Sequence, residues 1–123
     1  MLRVYAKKLG TVTIVCLQGR IVNGETAALR DAVDSQSNVS AVVLDLARVS
    51  TIDAAGLGVM LELRERTQSR GVAFKLMNIT KLVGRVLEIT RLNSVFEVTS
   101  GAEILLTVSP HMPAASLELA SCA

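Results

Sequence analysis

The sequence predicts an α/β fold, with one mixed sheet of four to five strands and about four helices packed largely on one side. Two observations support this prediction. Short β-branched runs with a period of two alternate along the chain with longer segments whose apolar residues recur at helical spacing. Half of the 123 residues are apolar, which is enough for one domain to bury its own core.

The N-terminal part is predicted to be a β-hairpin. Residues 2–6 and 11–18 alternate with a period of two, and Gly10 supplies the turn between them. Residues 23–26 form a turn into a first helix, which carries Leu29 and Val33 on its apolar face.

The rest of the chain is organised around residues 42–61. Residues 42–46 are a short, nearly continuous apolar run, typical of a strand covered on both faces. A short polar step follows, and then a helix from about 54 to 69 with Asp53 as its N-cap. Small residues at 54–56 leave the first turn almost bare, so a ligand, a phosphoryl group or a partner's backbone can approach its free N–H groups.

Four further elements complete the predicted domain. They are a strand at 72–77, a third helix capped by Thr80, a short edge strand at 95–98 and a final short helix at 102–106. We expect a single domain over residues 1–108. Residues 109–123 contain two prolines and many small residues, which predicts a flexible tail.

Composition narrows the class of partner. Aromatic residues make up 2% of the chain and the net charge is +2 without a basic run, which argues against a nucleic-acid partner. The sequence shows neither a signal pattern nor an apolar run of membrane-spanning length, so we expect a cytoplasmic protein without a membrane span. Two cysteines are too few for a disulfide framework, and Cys16 is expected to be a reduced, small buried hydrophobe.

The sequence does not offer a complete catalytic set, so we expect neither enzyme activity nor a cofactor or metal. Its one histidine, His111, lies in the predicted tail. Asp45 and Asp53 flank the polar step, where they would form an acid–base pair or bind Mg²⁺. The favoured interpretation is structural: Asp53 caps the helix and Asp45 accepts bonds from loop amides. The small residues at 54–56 have a structural interpretation as well. Judged by their spacing alone, they indicate close packing of a helix on a strand.

Several segments together carry a family resemblance. They are Gly19-Arg20, Thr26-Ala27-Ala28-Leu29-Arg30, Val43-Leu44-Asp45-Leu46, Lys75-Leu76-Met77-Asn78, Leu87-Glu88-Ile89-Thr90-Arg91-Leu92, Val95-Phe96-Glu97-Val98 and the loop Asp53-Ala54-Ala55-Gly56-Leu57-Gly58. With them, residues 2–108 resemble STAS domains, and specifically the small bacterial anti-sigma factor antagonists. In that family the loop usually reads Asp-Ser-Ser-Gly-Leu-Gly, and a partner kinase phosphorylates the second serine.

The resemblance implies a STAS fold and a regulatory binding role in a partner-switching pathway that controls transcription. The implied partner is an anti-sigma factor or a serine kinase of the ATPase-fold type, and other STAS proteins are further candidates. Ala55 stands at the phosphoacceptor position, so the resemblance also implies that this site is not phosphorylated. The partner-binding residues that it implies are Asn23, Thr26, Asp53, Ala54, Ala55, Gly56, Leu57, Gly58 and Val59.

Alternatives stay open at this point. A STAS scaffold, a nucleotide- or ligand-sensing domain, or a subunit of a transport complex would each work without a phospho-cycle. Ser50, Thr51 and Thr80 are candidate substitute phosphosites near the loop. A homodimer is a further alternative, through the helix at 82–92 or an edge strand at Tyr5.

Overall fold

The computed structural model of the protein describes residues 1–100 and Glu103. This part of the chain contains β1 (Arg3–Leu9), β2 (Val12–Ile21), α1 (Ala27–Asp34), β3 (Ala41–Ile52), α2 (Ala54–Ser69), β4 (Ala73–Met77), α3 (Lys81–Ile89) and β5 (Glu97–Thr99). The predicted fold class is confirmed, with three helices in the described residues where about four were expected. The expected helix at 102–106, apart from Glu103, and the expected tail at 109–123 lie outside the described residues.

The five strands form one sheet in the order β1-β2-β3-β4-β5. β1 and β2 are antiparallel and form the predicted hairpin. Gly10 occupies the two-residue turn between them with a φ of 61°, a conformation that glycine adopts without the steric cost of a Cβ. The remaining neighbours, from β2 to β5, are all parallel.

The helices share one face of this sheet because of the strand order. Each connection from β2 to β5 passes through a helix and moves one strand in the same direction. Crossovers of this kind are right-handed, so three steps in one direction bring all three helices to the same side. Buried residues from each helix, among them Leu29, Met60 and Leu87, accordingly join one cluster with Val42 and Leu44 of β3. We call this side of the sheet the helix face.

The opposite side, which we call the second face, carries a smaller apolar cluster. Its buried members are Leu9, Val12, Ile14, Cys16, Ala41, Val43 and Met77. Cys16 is buried as expected. It is disulfide-bonded, however, so the expectation of a reduced thiol is wrong at this residue.

β3 is longer than its apolar run indicates, because it continues through the polar step to Ile52. Its pairing register with β2 shifts twice, after Cys16 and again after Gly19. Such bulges allow a strand to turn polar residues to solvent while it remains paired. The polar step after residue 46 was expected to be a loop between the strand and α2. It is instead the partly exposed end of a bulged strand.

The helices of the described residues are consistent with this layered packing. α2 spans the 16 residues Ala54–Ser69, as predicted, whereas α3 ends at Ile89, earlier than expected. Within the part of the chain that the structure describes, none of the helices combines the length and the apolar character needed to cross a membrane.

Replacing Leu44 by alanine tests the position of the core. The Leu44 side chain has no exposed surface, so Leu44→Ala should lower the free energy of unfolding by about 2–5 kcal/mol. Leu82→Ala removes the same atoms from a side chain that is 47% exposed, and its effect should stay within about 0.5 kcal/mol. Urea unfolding followed by circular dichroism measures both. Equal losses in the two variants would contradict the placement of the core on the helix face.

Candidate functional site

The predicted site residues meet at one edge of the sheet. Because β2, β3, β4 and β5 are parallel, their carboxyl ends lie side by side, which is where open α/β sheets commonly bind their ligands. We define the carboxyl edge as the turn at 22–26, the start of α2 at 53–59 and the connection at 78–80. All nine residues that the resemblance implied fall on the first two of these segments.

The Asp53 carboxylate connects those two segments. Its Oδ1 accepts a hydrogen bond from the backbone N–H of Gly56 at 2.8 Å, which is the predicted N-cap bond. Its Oδ2 accepts a second bond from the backbone N–H of Asn23 at 3.1 Å. One side chain therefore both begins α2 and fixes the turn that follows β2. The bond to Asn23 joins residues 30 positions apart, so no local sequence signal reveals it.

The same two bonds control the charge of Asp53. The N–H of Gly56, first, and that of Asn23, second, hold the pKa of the Asp53 carboxyl below its usual range, and the opposing effect of burial is smaller. Hydrogen bonds donated to a carboxylate favour its ionised form. The Asp53 carboxyl is therefore ionised at neutral pH.

Gly56 is required for a different reason, the close approach of α2 to β2. A Cβ built on Gly56 would lie 2.0 Å from the carbonyl oxygen of Ile21, well inside any real contact. That oxygen also accepts a bond from the N–H of Asp53 at 3.3 Å. The sequence prediction missed the part played by Ile21, because it ended β2 at residue 18.

The nine implied residues divide into buried and accessible sets. Gly56, Leu57 and Val59 are buried, and the two larger side chains belong to the core of the helix face. Their contact with a partner stays a prediction. The accessible residues are Asn23, Ala54, Ala55 and Gly58, with Thr26 and Asp53 partly exposed.

The exposed side of α2 changes character along its length. Its first two turns present Ala54, Ala55 and Gly58, none of which carries more than a methyl group. Glu62, one turn beyond Gly58, pairs with Arg30 of α1 at 3.2 Å. Farther along, Arg66 of α2 and Asp34 of α1 form a second inter-helix pair at 2.9 Å. The small, uncharged side chains of the first two turns of α2 thus adjoin a band of paired charges.

The three candidate substitute phosphosites lie outside the first turn of α2. Ser50 and Thr51 are strand residues of β3, and the Ser50 hydroxyl donates to the carbonyl of Gly19 at 3.2 Å. The Thr80 hydroxyl caps α3 by accepting from the N–H of Val83 at 3.3 Å. None of them occupies the exposed first turn of α2, where Ala55 lies, and their phosphorylation stays a prediction.

Asp45 and Asp53 do not form a pair. Asp45 lies opposite Cys16, whereas Ile52, next to Asp53, lies opposite Ile21. Those five steps of β2, at about 3.3 Å each, separate the two carboxylates by roughly 15 Å, too far for a shared proton or Mg²⁺. Asp45 Oδ1 instead accepts bonds from the N–H of Ala47 at 3.0 Å and the side-chain amide of Asn78 at 3.3 Å. The structural interpretation of both aspartates is therefore confirmed.

Other chemistry at the carboxyl edge is limited. Among the described residues no group of three or more histidine, cysteine or acidic side chains could hold a metal ion. A hollow of about 350 Å³ lies beside the turn at 22–26 and the start of α1. It is lined by Met1, Leu2, Gly24, Glu25, Ala27 and Ala28. In this lining the Glu25 carboxylate pairs with the N-terminal ammonium of Met1 at 2.9 Å.

Comparison with known proteins identifies the family pattern in this chain. The sequence profile of the STAS domain family matches residues 3–110. An anti-sigma factor antagonist from Mycobacterium paratuberculosis has the same fold, with 22% identity, a TM-score of 0.71, and coverage of 88% of this chain and 94% of that one. The anti-sigma factor antagonist SpoIIAA in its unphosphorylated form also has this fold. Its identity is 16% and its TM-score 0.71, and the match covers 90% of this chain and 100% of that one.

A protein of another description shares the fold as well. It is a sulfate transporter family protein from Wolinella succinogenes, with 21% identity, a TM-score of 0.66, and coverage of 86% of this chain and 90% of that one. At identities this low, the likeness to all three structures establishes the shared fold.

Two glycines of α2 give a matched test of the close approach. Gly56→Ala should destabilise the protein by about 1–3 kcal/mol or more, because the new methyl group collides with the Ile21 carbonyl. Gly58→Ala meets open space and should stabilise the protein by up to about 1 kcal/mol, since alanine is the better helix former. Urea midpoints by circular dichroism separate the two. If Gly56→Ala were as well tolerated as Gly58→Ala, the contact with Ile21 would be refuted.

The low pKa of Asp53 predicts a dependence of stability on pH. A carboxyl whose pKa is lower in the folded protein stabilises the fold above the unfolded value of about 3.9, and this stabilisation is lost as pH falls through the folded pKa. Asp53→Asn should therefore be less stable than the natural protein at pH 7, with a gap that narrows below about pH 4. Urea unfolding between pH 7 and pH 3 measures the gap. Glu65→Gln, on the exposed side of α2, is the control for the loss of a carboxylate. A stability gap for Asp53→Asn that stayed the same at every pH would contradict the prediction.

Proposed function

The chain belongs to the STAS family, and from this premise we propose that it is an anti-sigma factor antagonist-like binding protein in a partner-switching pathway. Its partner is an anti-sigma factor or a serine kinase of the ATPase-fold type, which docks on the carboxyl edge. The domain acts in the cytoplasm by binding, without catalysis and without a cofactor. The observation that carries the proposal is the exposed, small-residue start of α2, held in place by Asp53.

The physical properties of this surface suit a protein partner. Alanine and glycine side chains have no rotamer entropy to lose when they are covered, and they allow the partner's backbone to come close. The turn at Asn23 is already fixed to α2 through Asp53. Binding to a preorganised surface avoids the cost of ordering a loop.

The alanine at position 55 determines how the proposed docking is regulated. A phosphoserine in the first turn of α2 would add about 1.5 to 2 negative charges and three bulky oxygens to a close-packed interface. Alanine cannot accept a phosphoryl group, and its methyl group leaves the surface flat. We therefore assign this chain a state that corresponds to a permanently unphosphorylated antagonist.

A second candidate is a STAS subunit or scaffold of a transport complex. The observation in its favour is the shared fold of the sulfate transporter family protein from Wolinella succinogenes. Nucleotide sensing stays an open alternative. Self-association also stays a prediction, based on the exposed Tyr5, Leu82 and Ile89 side chains.

Substitutions at Ala55 test the docking surface. The natural protein, Ala55→Ser, Ala55→Glu and Gln68→Glu are each used to capture partners from the host, followed by mass spectrometry and affinity measurement with the recovered partner. Gln68 is exposed near the other end of α2, so Gln68→Glu adds the same charge away from the proposed interface. We expect the natural protein and Gln68→Glu to bind an ATPase-fold kinase or anti-sigma factor equally. Ala55→Glu should bind at least about tenfold more weakly, a loss of about 1.4 kcal/mol.

The serine variant adds a second readout. If the partner is a kinase, Ala55→Ser should become phosphorylated at residue 55 while the natural protein does not. Recovery of a membrane transport complex in place of a kinase or anti-sigma factor would favour the second candidate. Equal weakening by Ala55→Glu and Gln68→Glu would show that docking does not use the carboxyl edge.

A further inference from the structure

The second face of the sheet is covered, although no described helix packs on it. Ile14, Val43 and Met77 point to this face and have no exposed surface. An apolar sheet face with nothing against it stays in contact with water, so side chains buried this completely require a second layer. In residues 1–100 all three helices contribute their buried side chains to the helix face. The covering layer must therefore come from elsewhere.

The chain itself supplies a segment of suitable composition at the right place. Thr99 of β5 pairs with Met77 at the border of the second face, and its hydroxyl donates to Glu103 at 2.8 Å. The twenty residues 104–123 follow directly. They include the apolar side chains of Ile104, Leu105, Leu106, Val108, Met112, Leu117 and Leu119.

A covalent bond provides an independent indication. Cys16 belongs to the second face and is disulfide-bonded, and the sequence contains one other cysteine, Cys122. From β5 to β2 the sheet spans three strand spacings, roughly 15 Å. The nineteen residues from 104 to 122 reach about 28 Å even as a helix, at about 1.5 Å per residue. The segment is thus long enough to cross the second face to Cys16.

We propose that residues 104–123 dock on the second face of the chain's own sheet and that a disulfide between Cys16 and Cys122 fastens them there. Apolar contacts provide the docking, and the disulfide adds a link that depends on redox conditions. A dithiol reductant opens it by exchange: the S–S bond breaks, each cysteine recovers a thiol proton, and the dithiol is oxidised to its own disulfide. In a reducing compartment such a bond is rarely permanent. This proposal goes beyond the carboxyl-edge function and replaces the expectation of a flexible tail.

Peptide mapping of the full chain tests the disulfide. The protein is purified without reductant, treated with iodoacetamide and digested with trypsin, which separates residues 9–20 from residues 92–123. The monomer should yield these two peptides joined, and treatment with a dithiol before alkylation should release both. Separately alkylated peptides, or joined peptides found only in a covalent dimer, would overturn the intramolecular bond.

A spin label tests the docking itself in the full-length Cys16→Ala variant, with circular dichroism to verify its fold. A nitroxide attached to Cys122 should broaden the methyl signals of Ile14, Val43 and Met77 strongly. It should broaden those of Leu29 and Leu87, on the opposite side of the sheet, far less. Equal broadening on both faces, or none on the second face, would show that residues 104–123 do not dock there without the bond. Partner binding at the carboxyl edge is not a readout of either experiment, so failure here is distinct from failure of the proposed function.

Discussion

The contact between the start of α2 and the end of β2 is the constraint on which the carboxyl edge depends. Gly56 lies against the Ile21 carbonyl with no room for a side chain, and Asp53 bonds to both Gly56 and Asn23. The glycine sets the distance between helix and strand, and the carboxylate sets the position of the turn. Neither works alone, because a cap without the close approach would leave Asn23 out of reach. The accessible alanines owe their fixed position to this pair of interactions.

The strand order explains why the molecule has two unlike faces. Three right-handed crossovers in the same direction place every described helix on one side of the sheet. The second face is left with a cluster that contains Cys16 and Met77 but receives no buried side chain from α1, α2 or α3. The carboxyl edge lies between the two faces. The proposed docking at the edge and the proposed covering of the second face therefore use separate surfaces of one domain.

Features that depend on neighbouring residues could be predicted from the sequence, whereas features that depend on contacts between distant residues could not. The limits of α2 follow from sequence because Asp53 is a strong N-cap and small residues follow it. The extension of β3 to Ile52 could not be predicted, since bulges mix exposed and buried residues and erase the period of two. The bond from Asn23 to Asp53 and the side of the sheet on which Cys16 lies depend on strand pairing. The family loop pattern indicated residues 53–59 as the candidate site, but the burial of Leu57 and Val59 could be seen only in the structure.

Alanine at position 55 limits how the carboxyl edge can be controlled. With no hydroxyl in the first turn of α2, phosphorylation cannot add charge there, and the low pKa of the Asp53 carboxyl keeps this group ionised at neutral pH. Under the proposed function, control of docking then has to act at another hydroxyl, at another surface, through the partner, or through the amount of protein. The second face carries a bond that a chemical signal can break, at Cys16. Cys16 lies on β2, the strand whose end at Ile21 lies against Gly56.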